Sequence, residues 1–146
     1  MRGVRGRGVT AALVPELDVA DLDASLAFYC GILGFTVRYD RPEEGFAYLD
    51  RDGAELMLEA AAGPGRRFRT APLEYPLGRG MNLQIACSHA AALHDAVLAA
   101  GHTCVIPLET RWYRVGRSER GNRQFVVADP DGYLLRFFED LGERSG

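Results

Sequence analysis

The turn sequence Asp-x-Asp-Gly occurs twice in the chain, as Asp50-Arg51-Asp52-Gly53 and as Asp129-Pro130-Asp131-Gly132. In both copies a leucine, Leu56 or Leu135, follows three residues after the glycine. Asp-Gly pairs favour tight turns between strands because glycine readily adopts a positive φ. Each turn joins the last two strands of the same predicted series: a strand, a helix and three strands. The repetition therefore predicts a duplicated βαβββ unit.

The first unit begins with a predicted strand at Leu13–Val19. Asp21 is suited to cap a helix, and the apolar residues that follow recur at helical spacing until Gly34 ends the pattern. Three further strands are predicted at residues 35–39, 45–49 and 54–60.

The second unit repeats this order after a stretch rich in glycine, proline and arginine at residues 62–80, which we predict to be a linker. Gly101 stands at the helix stop, as Gly34 does in the first unit. The predicted elements are strands at 82–87, 103–106, 124–128 and 133–138, a helix at 90–100, and a long polar loop at 108–122.

We therefore predict one α+β domain at residues 13–139, with modules at 13–61 and 81–139. The Arg- and Gly-rich residues 1–12 are predicted to be an N-terminal arm, and residues 140–146 a tail. A module of about 60 residues buries little surface alone. Pairing two modules is expected to give curved sheets with a concave ligand groove.

The composition argues against several classes of protein. All 17 basic residues are arginine, spread along the chain among 20 carboxylates, so a nucleic-acid interface is not predicted. Apolar runs are too short for a membrane span, and we expect a cytoplasmic protein. The cysteines Cys30, Cys87 and Cys104 are odd in number and lie in apolar segments, as buried thiols do.

The sequence contains no recognisable catalytic or cofactor motif. His89, His94 and His102 lack the spacing that places ligands on one helical face, and no nucleophile elbow or phosphate-binding loop occurs. We therefore predict no catalytic residue, no bound metal and no cofactor.

Aromatic residues are better candidates for a binding role. Phe46 and Tyr48 lie two apart in a predicted strand and so share a face. Trp112 and Tyr113 lie in the predicted polar loop, where they provide either a stacking surface or cover for the domain edge. Glu44 is either a solvated turn residue or a negative charge at a pocket mouth.

Four segments resemble the vicinal oxygen chelate superfamily, which includes glyoxalases, fosfomycin-resistance enzymes, extradiol dioxygenases and bleomycin-resistance proteins. The similarity runs from about Leu13 to Glu139 and implies the fold derived above. The segments are Glu16-Leu17-Asp18-Val19, Ser25-Leu26-Ala27-Phe28-Tyr29, Leu33-Gly34-Phe35 and Asp129-Pro130-Asp131-Gly132.

The resemblance also locates the positions at which enzymes of this superfamily bind a divalent metal. They fall on Val14, Met57, Asn82 and Arg136. Valine and methionine offer no hard donor, arginine is a cation, and neutral asparagine is a poor substitute for histidine or a carboxylate. The resemblance therefore implies a protein that does not use the superfamily's metal.

Within the superfamily the chain is most similar to the bleomycin-resistance branch. The matching segments are 45–48, 75–80, 111–113 and 123–125. This resemblance implies a non-enzymatic homodimer that sequesters a bleomycin-like antibiotic, with Pro15 as the hinge of an exchanged N-terminal strand. The implied ligand-binding residues are Glu44, Phe46, Tyr48, Asn82, Trp112 and Tyr113. A metal-dependent enzyme with a displaced site and a binder of another metabolite remain alternatives.

Overall fold

The computed structural model describes residues 10–146 of the chain. A short 3-10 turn, Pro42–Glu44, precedes the third strand. The helices and strands are β1 (Glu16–Val19), α1 (Leu22–Tyr29), β2 (Thr36–Arg41), β3 (Phe46–Arg51), β4 (Ala54–Ala60), β5 (Asn82–Ala86), α2 (Ala90–Ala99), β6 (Ile106–Val115), β7 (Ser118–Ala128) and β8 (Leu134–Ser145). Among these described residues, no helix is long and apolar enough to cross a lipid bilayer.

The strands form two four-stranded sheets with the same topology. The first sheet has the order β1-β4-β3-β2, and the second sheet has the order β5-β8-β7-β6. In each sheet the first strand of the unit runs parallel to the last, and the other neighbours are antiparallel. The duplicated βαβββ fold predicted from the sequence is confirmed.

The repeated turn adopts the conformation that its residues predict. Gly53 and Gly132 have φ values of 95° and 94°, which glycine adopts without strain. In the second copy the Asp129 carboxylate accepts hydrogen bonds from the backbone N–H groups of Asp131 and Tyr133, at 2.9 and 3.0 Å. A Cβ at Gly132 would lie 2.5 Å from Pro76, so the turn also requires glycine for close packing.

The sequence prediction was wrong for residues 103–122. The strand β6 begins only at Ile106, and the predicted polar loop is instead a hairpin of β6 and β7 that turns at Gly116, whose φ is 64°. Residues 106–122 are highly charged because most of them are exposed or half-buried, and charged side chains pair with the neighbouring strand β8, as Glu119 does with Arg144. An exposed ribbon of this kind lacks the apolar alternation that identifies a strand.

Other predicted boundaries also shift. The strand β8 continues to Ser145, through the residues predicted as a tail, because it pairs with β7 along its length. The first strand begins at Glu16 rather than Leu13. Residues 61–81, which include the predicted linker, contain turns and bends but neither helix nor strand.

Side chains from both modules share one hydrophobic core. The two helices pack on the inner faces of the sheets, and α1 of the first module touches the second module where the Phe28 ring meets His102, with ring centres 5.1 Å apart. Core residues come from every sheet strand except the edge strands β2 and β6, and include Leu17, Ala47, Leu58, Ile85, Phe125, Leu135 and Phe137.

Hydrogen bonds fix the modules to one another beside this core. The Tyr29 hydroxyl donates to Asp129 Oδ2 at 2.7 Å, and the Ala20 N–H donates to Asp131 Oδ1 at 2.9 Å. The Tyr133 hydroxyl donates to the Asp18 carbonyl at 3.0 Å. Burial raises the pKa of Asp129 above its ordinary value, and the hydrogen bond from Tyr29 offsets part of that rise. The modules are therefore joined back to back, with the opposite face of each sheet turned outward.

Removal of the Tyr29 hydroxyl should weaken this junction. We expect Tyr29→Phe to lower the free energy of unfolding by about 2 kcal/mol near neutral pH, because a hydrogen bond to a buried carboxylate is worth about 1.5–3 kcal/mol. The bond stabilises the ionised form of Asp129, so the difference should shrink as the pH falls through the pKa of Asp129. Urea denaturation at fixed protein concentration measures both effects.

Tyr75→Phe is the matched control, because Tyr75 is 70% exposed. It should change the free energy of unfolding by less than about 0.5 kcal/mol. Equal effects of the two substitutions, or a Tyr29→Phe effect independent of pH, would contradict the proposed role of the hydrogen bond.

Candidate ligand-binding site

Alternation along the strands separates the core from a second set of side chains. Ala47 and Leu49 of β3 lie in the core, so Phe46 and Tyr48 project from the opposite side of the first sheet. The same alternation holds in the second sheet. We call these sides the first outer face, formed by Glu16, Phe46, Tyr48, Glu55, Met57 and Glu59, and the second outer face, formed by Asn82, Gln84, Arg111, Tyr113, Gln124, Val126, Leu134 and Arg136.

Aromatic rings cover the first outer face. The Tyr39 ring stacks on Tyr48, with centres 4.9 Å apart, and the Arg41 guanidinium lies 4.0 Å from the centre of the Phe46 ring. Phe46 and Tyr48 are only 3% and 2% exposed. The structure therefore brings these two predicted ligand contacts together, but beneath other side chains.

Glu55 accepts a hydrogen bond from the segment that precedes β1. Its Oε1 atom accepts hydrogen bonds from the Tyr48 hydroxyl, from Arg38 Nη1 at 2.8 Å and from the Ala11 N–H at 3.2 Å. The segment before β1 thus lies against the first outer face of its own chain. Pro15, the predicted hinge, belongs to this segment, and its carbonyl accepts from the Met57 N–H at 2.8 Å.

The exposed negative charge of the first outer face is on Glu16 of β1 rather than on Glu44, the residue predicted from the sequence. Glu44 stands at the rim, where its carboxylate is paired with Arg41. Glu16 is exposed, and its pKa is raised by partial burial and by the neighbouring carboxylates Glu59 and Asp18. No local pattern predicts this cluster, because it forms only when β1 pairs with β4.

The second outer face holds an open depression of about 420 Å³. It brings together two predicted ligand contacts, Asn82 from β5 and Tyr113 from β6, although these strands lie at opposite edges of the sheet. Its lining consists of Asn82, Val105, Ile106, Glu109, Arg111, Tyr113, Gln124, Val126, Leu134 and Arg136.

Polar side chains in this depression are held in fixed orientations. Gln124 Nε2 donates to Glu109 Oε2 at 2.9 Å and to the Tyr113 hydroxyl at 2.7 Å. Arg136 donates from Nη2 to Gln84 Oε1, which lies opposite it on β5. The Nε atom of Arg136 is buried and has no hydrogen-bond partner. From the sequence, Arg136 was noted only as an unsuitable metal ligand, and Arg111 and Gln124 belonged to matching segments but were not predicted to bind a ligand.

Trp112 does not line this depression. It neighbours Tyr113 on β6 and therefore projects from the other side of the strand. Its ring lies against Gly121, where an added Cβ would come within 2.7 Å of the indole, and the Arg144 guanidinium lies 4.0 Å from the ring centre. Of the two roles considered for Trp112, this packing agrees with the one in which the side chain covers the edge of the domain.

The residues at the superfamily's metal positions do not fit a divalent metal. Val14 and Met57 supply an alkyl group and a thioether, and the Arg136 guanidinium would repel a cation. Asn82 is left as an isolated neutral oxygen donor. Within residues 10–146, no group of three or more His, Cys, Asp or Glu side chains is arranged to hold a metal ion.

The chain belongs to the Glyoxalase/Bleomycin resistance protein/Dioxygenase superfamily, whose family model matches residues 13–137. It is 28% identical over 130 residues to bleomycin resistance proteins of Geobacillus stearothermophilus and Staphylococcus aureus, covering 88% of this chain and 96% of theirs. The crystal structure of TioX from Micromonospora sp. ML1 covers 90% of this chain and 99% of its own, with a TM-score of 0.67 and 23% identity. That likeness shows the shared fold.

The packing of Trp112 is open to a direct test, since it is the only tryptophan of the chain. Gly121→Ala should displace the indole, because the new Cβ would overlap the ring, and should increase quenching of its fluorescence by acrylamide. Arg144→Ala removes the guanidinium that lies over the ring and should act in the same direction. Unchanged quenching in both variants would contradict the described packing.

Proposed function

We propose that this protein confers antibiotic resistance without catalysis, by sequestering a bleomycin-type glycopeptide in grooves formed by a cytoplasmic homodimer. The observation that carries the proposal is the pair of outer faces, one aromatic and acidic, the other polar and open. The relatives named bleomycin resistance proteins support the choice of ligand. The donor sets at the superfamily's metal positions support a role without metal chemistry.

The way in which the two modules are joined supports the proposal of a dimer. Because both sheets bury one face in a shared core, the outer faces of one chain point away from each other and do not enclose a ligand. A second copy can place its second outer face opposite the first outer face of its partner. Twofold symmetry then produces two equivalent grooves, each with one wall from either chain.

The first outer face offers the interactions that a cationic aromatic ligand requires. Phe46 and Tyr48 provide ring surfaces for stacking once the Arg41 and Tyr39 side chains that cover them move aside. The exposed carboxylate of Glu16 attracts a positively charged group. Since the segment around Ala11 lies against this face, binding there requires that segment to move, and Pro15 is the position where the movement would begin.

Calorimetric titration with metal-free and copper-loaded bleomycin tests the proposal. Phe46→Leu retains an apolar side chain but removes the ring, and we expect it to weaken binding about tenfold, or ~1.4 kcal/mol. Phe68→Leu is the matched control, because Phe68 is 73% exposed in the segment between the modules, and it should leave the affinity unchanged.

Two results would contradict the proposal. The first is the absence of binding heat for both forms of the drug at micromolar concentration. The second is a stoichiometric transition metal in protein purified without chelators, which would favour the alternative of a metal-dependent enzyme.

A further inference from the structure

Two arginines in the depression of the second outer face form no ion pair with the described residues. Arg136 donates to the neutral Gln84, and neither Arg136 nor Arg111 forms an ion pair with any carboxylate of the described residues. On the first outer face the arginines are paired. Arg38 lies 2.8 Å from Glu55, and Arg67 lies 2.6 Å from Glu59.

An unpaired guanidinium is unfavourable where it is partly withdrawn from water. Arg136 lies on β8, an inner strand of the second sheet, and its side chain is half-buried with an unpartnered Nε. Burial of a charge without a partner costs free energy that a bound ion of opposite sign can offset. The depression therefore favours a negatively charged occupant.

One neighbouring polar group can also donate to an anion. The Tyr113 oxygen accepts from Gln124, so its own proton remains free to donate. Glu109 contributes one negative charge to the lining against the two guanidinium charges, and its carboxylate already accepts from the Gln124 amide. Val126, Leu134 and Ile106 add apolar surface beside these donors.

We propose that the depression of the second outer face binds the carboxylate, or a similar small oxyanion, of a ligand that also carries an apolar or aromatic part. Arg136 and Arg111 bind the oxyanion, and guanidinium groups suit this role because their parallel N–H donors match two oxygens. The inference rests on one part of the proposed function, namely that the outer faces bind a small molecule. It adds that the wall formed by the second outer face accepts an acidic group, whereas the wall formed by the first outer face attracts a cation.

Two probes of the same shape and different charge test the inference. Calorimetric titration of the full-length protein should show 2-naphthoate binding at least about tenfold more tightly than 2-naphthamide. Arg136→Gln and Arg111→Gln should each reduce the affinity for 2-naphthoate and leave that for 2-naphthamide unchanged. Inorganic sulfate should compete with 2-naphthoate.

Arg114→Gln is the matched control, because Arg114 is an exposed arginine on the opposite side of the same strand. It should preserve the preference for the carboxylate. Arg111 is also exposed, so its variant keeps the test valid if Arg136→Gln fails to fold.

Equal affinities for the two probes, or a preference for 2-naphthoate that survives both arginine substitutions, would overturn the inference. Titration of the same preparations with metal-free bleomycin separates this failure from that of the proposed function. A carboxylate preference without bleomycin binding supports the anion site and contradicts the choice of antibiotic. Bleomycin binding without a carboxylate preference supports the choice of antibiotic and contradicts the anion site.

Discussion

The junction between the two modules is the constraint on which the rest of the structure depends. Tyr29 and Tyr133 each reach across it, the first to the buried carboxylate of Asp129 and the second to the backbone of Asp18. These bonds seal a core that both modules share. Because the inner faces are joined, the outer faces must point away from one another, and a groove with two walls then requires a second chain.

The two outer faces have diverged although their strands follow the same order. On the first, the charges of Arg38 and Glu55 are satisfied within the chain, since Glu55 accepts from Tyr48, Arg38 and Ala11, while Glu16 on β1 stays exposed. On the second, Arg136 has only a neutral partner and the depression is open. A charge that is already paired can bind a ligand only by exchanging contacts, whereas an unpaired charge gains a contact. This difference favours the second outer face as the part that selects the ligand.

The sequence predicted the fold because its signals are local. The repeated Asp-Gly turn and the two helix stops are each defined within a few residues, and together they gave the order of elements. The β6–β7 hairpin was missed because its charged residues are satisfied across strands rather than by an apolar face. Strand register, which no local pattern encodes, decides two further features. It sets the side of the sheet from which Trp112 and Tyr113 each project, and it places Arg136 opposite Gln84.

The central claim, that each groove combines the first outer face of one chain with the second outer face of its partner, is tested most directly with mixed dimers. Phe46→Leu impairs the first outer face, and Asn82→Trp fills the depression of the second, where Asn82 is exposed. The two variants, co-expressed with different affinity tags and purified through both, should regain one intact groove per dimer in a bleomycin titration. Mixed dimers that bind no better than either variant alone would contradict the account.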